Sequence, residues 1–433
     1  MSKDIIITNA TIVDAASGTV GPGSLHLSGG FIWTVGQSTE LPEAEHAEVI
    51  DATGLFVSPG FIDLHCHLRE PGGEAKETIA TGTRAAARGG FTTVCCMPNT
   101  TPPIDSAAAV NTVKEIAERE ASVRVLPIGC VSAGRQGEAL AELNVMAGAG
   151  AVGFSDDGSP VFNPQLMQQA LAFSQKSGLP IIDHCEAPGH APGGVAHDGK
   201  VAVELGLLGI PSTVEETMVS RDISLAQQIP GAHLHIAHTS TAGTVELLRR
   251  GKEHSSGITA EVTPHHLTLT DEIIRKAGTQ AKVNPPLRTQ KDITALIQGL
   301  KDGIIDIIAT DHAPHTTADK NCSFAEAAFG ISGLETAFGA LMRLVHDGYF
   351  TLLELIKFLT INPAKILGNS ALGTLKPGAW ADIVIFDPEK TWTVNPEDFA
   401  SKGKNTPLAG KKLRGKIMAT IYNGKFVYKD NSL

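Results

Sequence analysis

Two histidines one residue apart, His65 and His67, close an apolar run from Leu55 to Leu64 and lead into Leu68-Arg69-Glu70-Pro71-Gly72. On a buried strand, alternation sends both imidazoles to one face and Cys66 to the other. Paired neutral imidazoles suit a borderline divalent metal such as zinc. Such a pair is weak alone, and donors at other strand ends must complete the shell. They exist. Later apolar runs end in Ser155-Asp156-Asp157, Asp183-His184-Cys185-Glu186, Ala237-His238 and Thr310-Asp311-His312. Taken together, His65, His67, Asp157, His184, His238 and Asp311 give four imidazoles and two carboxylates. That set can hold two divalent cations if one carboxylate is shared, and such a pair lowers the pKa of a shared water. Read singly, each histidine is as well explained by a core or surface place. His190, His197, His233, His254 and His346 are read that way, while His265 and His266 lie near the same end without an assigned role.

Positioning these donors requires a repeating scaffold. Apolar runs at Leu55–Leu64, Gly90–Cys96, Val123–Val131, Ala151–Phe154, Leu179–Asp183, His233–Ala237, Ile258–Val262 and Ile304–Ala309 read as buried strands. Helical stretches such as Thr78–Arg88, Ser106–Arg119, Gln165–Gln175 and Thr244–Arg250 separate them. Eight fully buried strands alternating with helices predict an α/β fold, a (β/α)8 TIM-type barrel whose chemistry gathers where the strands end. The two chain ends instead carry short β runs broken by turn signals, including Asn423-Gly424. Neither end can bury a core alone, so together they predict a small β-sandwich. The expected division is residues 1–54 and 366–433 for the sandwich and 55–365 for the barrel.

Composition narrows the partners. A chain of 433 residues with a net charge of -11 and no basic run argues against nucleic acid. No apolar stretch reaches membrane-spanning length, and the start of the chain lacks a signal-peptide pattern. Six cysteines without framework spacing indicate reduced thiols and a cytoplasmic location.

Several longer motifs, in a consistent order, carry a family resemblance. They are His65-Cys66-His67-Leu68-Arg69-Glu70-Pro71-Gly72, Met97-Pro98-Asn99-Thr100, Asp183-His184-Cys185-Glu186, Glu261-Val262-Thr263-Pro264-His265-His266-Leu267, Val283-Asn284-Pro285-Pro286-Leu287-Arg288 and Ala309-Thr310-Asp311-His312-Ala313-Pro314-His315. Over nearly its whole length the chain resembles the amidohydrolase superfamily, and within it the long bacterial dihydroorotases. Many members bridge two metals with a carboxylated lysine on the fourth strand, but no lysine occurs from Ala147 to Gly158. In the long bacterial dihydroorotases an aspartate takes that place, and the match falls on Asp157. Asp156 is then expected on the opposite face.

The resemblance implies interconversion of N-carbamoyl-L-aspartate and L-dihydroorotate, a step of pyrimidine synthesis, with two zinc ions per subunit. It implies that Asp311 carries the proton between the attacking water and the ring nitrogen. It assigns substrate contacts to Arg69, Asn99, Asn284 and His315 and to the backbone of Phe329 and Gly330, with residues 316–328 as a loop over the substrate. A guanidinium suits an anionic substrate because it pairs with carboxylate through two parallel hydrogen bonds. The resemblance leaves open a homo-oligomer and association with aspartate transcarbamoylase. Two other readings remain: a hydantoinase or allantoinase, and a silent homologue that scaffolds the transcarbamoylase. Silent homologues lose ligands, whereas every ligand position here is filled.

Overall fold

The structure, a computed structural model, describes residues 3–36, 47–255 and 257–433. Strands Phe61–Cys66, Phe91–Cys96 and Arg124–Pro127 pair in parallel, as do Ile181–Asp183, Leu234–Ile236, Ile258–Val262 and Ile307–Ile308. Single parallel bridges from Phe154 to Gly129 and to Ile181 supply the fourth position and join the two sheets. A bridge from Cys66 to His312 closes the ring. The result is an eight-membered parallel barrel, with its fourth and eighth members shorter than the expected runs.

Helices cover its outside, and their starts follow from capping chemistry. Thr78, Ser106, Asn163 and Thr241 each accept a backbone N–H at the start of Ile79–Arg88, Ala107–Glu120, Pro164–Ser177 and Ala242–His254. Their buried faces merge with the outward side chains of the strands into one large core that includes Val94, Phe154, Leu171, Val219 and Leu248.

Strands from both chain ends share one eight-stranded sheet. Ile5–Asp14 pairs with Thr19–Ser28, Glu48–Asp51 and Phe56–Pro59, and Phe56–Pro59 pairs in turn with Ile383–Thr393, then Lys412–Tyr422 and Lys425–Lys429. Residues from both halves, among them Ile7, Leu25, Val57, Ile383, Met418 and Ile421, bury a second core. The run expected as one strand from Leu55 to Leu64 is therefore two. Phe56–Pro59 belongs to the flanking sheet, and the barrel begins at Phe61 rather than at residue 55. Gly60 makes the passage, because a Cβ there would lie 2.2 Å from Thr92 Oγ1 on the neighbouring barrel strand.

The first barrel strand also changes phase. Ile62 and Leu64 face an inner cluster with Ile128, Ile182, Ala237 and Ile307. Strict alternation would then send Cys66 inward, but the pairing is irregular between Asp63 and Cys66, and Cys66 packs in the outer core. That irregularity is what turns His65 and His67 into the barrel.

Candidate metal centre and substrate pocket

The six donors meet at the ends of the barrel strands, all buried. Asp157 Oδ1 lies 3.4 Å from His65 Nε2 and 3.5 Å from both His184 Nδ1 and His238 Nε2. Its Oδ2 lies 3.5 Å from His67 Nε2, which is 3.2 Å from Asp311 Oδ1. One carboxylate thus spans two donor groups, one containing His65, Asp157 and His238 and the other His65, His67 and Asp311. Asp156 turns away, accepting from the Val131 and Ser132 amides and the Ser132 hydroxyl. Cys185 likewise turns outward, toward Asp183 and Asp222. All six cysteines are free.

Three features fit this cluster to cations. His65 Nε2 and Asp157 Oδ1 are buried without a hydrogen-bond partner, although both are aimed into the cluster. Donor spacings run from 2.8 Å, between His184 Nδ1 and His238 Nε2, to 3.6 Å, between His65 Nε2 and Asp311 Oδ1, and bracket the edges of a tetrahedron whose metal–nitrogen bonds are roughly 2.0–2.1 Å. The charges point the same way. Burial alone would lower the His65 pKa, but Glu261 and Asp157 outweigh it and hold the imidazole well above its ordinary value. His184 is also buried, yet Asp157 and Glu186 push it up to about 10. The carboxylates therefore demand positive charge from whatever lies between them.

Behind the donors stands a second ring of polar groups. Glu261 Oε1 is 2.6 Å from His65 Nδ1 and accepts the His238 amide, while its Oε2 lies 3.2 Å from His235 Nε2. Asn99 Oδ1 accepts from His67 Nδ1 at 2.9 Å, leaving the Nε2 lone pair facing the carboxylates. Asp63 accepts the Thr310 amide and hydroxyl just before Asp311. Burial raises the Asp311 carboxyl, but His67 and His65 overcome it and hold Asp311 well below the usual carboxylate range. Asp311, His238 and Arg69 all adopt positive φ, at 45°, 29° and 62°, so backbone strain gathers at this site.

A cavity of about 220 Å³ opens above the cluster. Arg69, Asn99, Asn284, His315, Phe329 and Gly330 all line it. His315 Nε2 donates to the Phe329 carbonyl at 2.8 Å and lies 3.3 Å from Arg69 Nη2. Burial, with Arg69 beside it, holds His315 down to about 3, so the ring is neutral. A nitrogen that donates to Phe329 cannot also accept from Arg69, which leaves that guanidinium corner free for an anion. Asn284 Nδ2 donates to Glu186 Oε2 at 2.8 Å. At Gly330, φ is 147° and a Cβ would sit 2.6 Å from the Ala313 carbonyl, so glycine alone fits.

The expected loop 316–328 opens with a short helix, Thr317–Lys320. A residue from the chain's far end holds the neighbouring wall: Asn405 accepts the His315 amide and donates to the Ala313 and Gly330 carbonyls. His266 is tied to Thr263 and the Pro285 carbonyl, whereas His265 Nε2 is buried without a partner. Glu261, Asp63, Glu186 and Asn405 had no role in the sequence reading. A larger cavity of about 780 Å³, between Ile5–Asp14 and Ile361–Ile366, contains none of the site residues. No helix among the described residues is long and apolar enough to cross a membrane.

Comparison with known proteins places the chain in a family. A model of the amidohydrolase family matches residues 56–427. Dihydroorotases from Pelotomaculum thermopropionicum and a Thermoanaerobacter species are each 49% identical over 98% of this chain and 99% and 97% of their own. The L-hydantoinase of Arthrobacter aurescens superposes with a TM-score of 0.89 at 25% identity, covering 99% of this chain and 96% of that one. A dihydropyrimidinase from Brevibacillus agri gives 0.84 at 24% identity over 98% and 95%, a likeness of fold alone.

Proposed function

The chain belongs to the amidohydrolase family and, within it, to the dihydroorotases, and from that premise we propose how this site closes and opens the dihydroorotate ring. His65, His67 and Asp311 would hold one zinc ion, His184 and His238 a second, and Asp157 would be shared. When bound, the pair supplies Lewis acidity, polarising the ring carbonyl and lowering the pKa of a water.

The remaining work falls to the chain's own groups. Arg69 pairs with the substrate carboxylate through its free corner, beside the neutral His315 ring. Asn284, oriented by Glu186, and the Phe329–Gly330 backbone bind the polar edge of the ring. Asp311, ionised at neutral pH, takes a proton from the attacking water and delivers it to the ring nitrogen as the amide opens. In the reverse direction, protonated Asp311 gives its proton to the departing oxygen, which also takes the proton shed by the attacking nitrogen, so that water leaves as the ring closes. Burial of the cavity floor keeps bulk water from competing for these contacts.

The observation that carries this reading is the guanidinium beside a neutral histidine, directly above a cluster of four imidazoles and two carboxylates. Purified protein of known metal content should open dihydroorotate and cyclise carbamoyl aspartate faster than it opens hydantoin or allantoin. Preference for either of the last two would reassign the substrate. Inactivity with a full complement of metal would favour a scaffolding role.

A further inference from the structure

Two lysines beside the pocket are buried without an acidic partner. Lys320 and Lys282 are each only 2% exposed, and among the described residues neither forms an ion pair. Lys320 Nζ instead donates to three carbonyls, Thr279 at 3.1 Å, Lys282 at 3.1 Å and Ala328 at 2.7 Å. Lys282 Nζ donates to Phe324 and Ala325 at 2.8 and 2.9 Å and sits 4.3 Å from the centre of the Phe329 ring. Five carbonyls of irregular chain are thereby satisfied by two ammonium groups. A buried ammonium is expensive, and an apolar side chain of similar length would avoid that cost. The carbonyls would then lose their donors.

What the lysines join matters for the pocket. Lys320 belongs to the segment that runs from His315 to Gly330. Its acceptors on Thr279 and Lys282 belong to the segment that ends at Asn284. The Gly330 amide also donates to the Lys282 carbonyl, at 2.9 Å. One segment supplies His315, Phe329 and Gly330 to the cavity, and the other supplies Asn284. We propose that Lys320 and Lys282 are positioning residues for substrate binding, a two-ammonium latch that fixes the facing walls of the anion pocket at their working separation. This rests on the dihydroorotase reading for the identity of the anion.

The latch also has an electrostatic consequence. Burial and the neighbouring Lys282 push Lys320 down to about 7, against the weaker pull of Asp319, and Lys320 is close enough to act on His315. An anion entering the pocket favours the charged form of Lys320, so substrate binding and latch closure reinforce each other. Anionic substrate should therefore protect the 316–330 segment from local opening.

Lys320→Met in the metal-loaded enzyme is the direct test. KM should rise about tenfold or more for both dihydroorotate and carbamoyl aspartate, since a hydrogen-bonded charge is removed from the wall. kcat should change only a few-fold, with bound metal close to wild type. Limited proteolysis should cut between residues 321 and 328 faster in the variant, and saturating substrate should slow the cut in wild type. Unchanged KM and unchanged cleavage in a folded, metal-loaded variant would overturn the proposal. Lys282→Met, read the same way, decides the matter if Lys320→Met does not fold. If wild type turns over neither compound, the activity assignment fails, yet the cleavage comparison still decides whether the latch exists.

Discussion

The floor of the pocket and its wall are built differently. The floor donors stand at the ends of barrel strands, and buried groups such as Glu261 and Asn99 hold individual rings in place. The wall comes from loops, held by Asn405 and by lysines that donate to backbone carbonyls. The barrel's main-chain hydrogen bonds fix the floor before any side chain acts, whereas the wall depends on side chains to replace a missing ladder. Cation geometry tolerates little error, while substrate contacts can be shared among several groups. A floor substitution should therefore abolish a property, and a wall substitution should grade it.

Asp157 gives the sharpest contrast. Asp157→Ala should lose bound metal and activity together, while Asp156→Ala should keep its metal, as metal analysis beside an activity assay will show. The opposite pattern would place the shared carboxylate one residue earlier. Asp311→Asn comes next. The amide cannot carry a proton, so turnover should fall by roughly 10²–10⁴-fold with metal still bound. Ring opening needs ionised Asp311 and closure needs it protonated, so wild type should open the ring better as pH rises and close it better as pH falls. Parallel pH profiles would move the shuttle elsewhere.

Effects on the wall should be smaller. Arg69→Met should leave metal content intact and lower kcat/KM by an amount equivalent to about 1.5–3 kcal/mol. Wild-type kcat/KM in that variant would show that another group holds the carboxylate. Glu261→Gln probes the support of the floor rather than a donor. Metal affinity should weaken by roughly 10–100-fold, measured by competition with a chelator. An unchanged affinity would mean that His65 is oriented by the barrel alone.

The same contrast decides what could be read from the chain. Strand termini are local properties, and they pointed to the histidines and to Asp311, whereas the choice of Asp157 over Asp156 rested on the family resemblance. Glu261 was within reach of the same local reading: on Ile258–Val262, alternation puts Thr259 and Glu261 on the face opposite Ile258, Ala260 and Val262. A carboxylate turned into a barrel mouth beside histidines is a natural support. The change of phase between Asp63 and Cys66 was less accessible, since it depends on pairing with a neighbour. So was the break at Gly60, where collision with Thr92 comes from another strand. Asn405 left no local trace, because its partners lie 75 to 92 residues earlier in the chain.

That separation gives the protein an order of assembly. A growing chain has produced every cation donor once residue 311 has been made, and the wall residues His315, Phe329 and Gly330 soon afterwards. Yet the side chain that ties His315 and Gly330 to Ala313 is translated only at residue 405, in the stretch between two strands of the flanking sheet. Synthesis thus completes the set of cation donors well before the side chain that braces one wall of the substrate pocket.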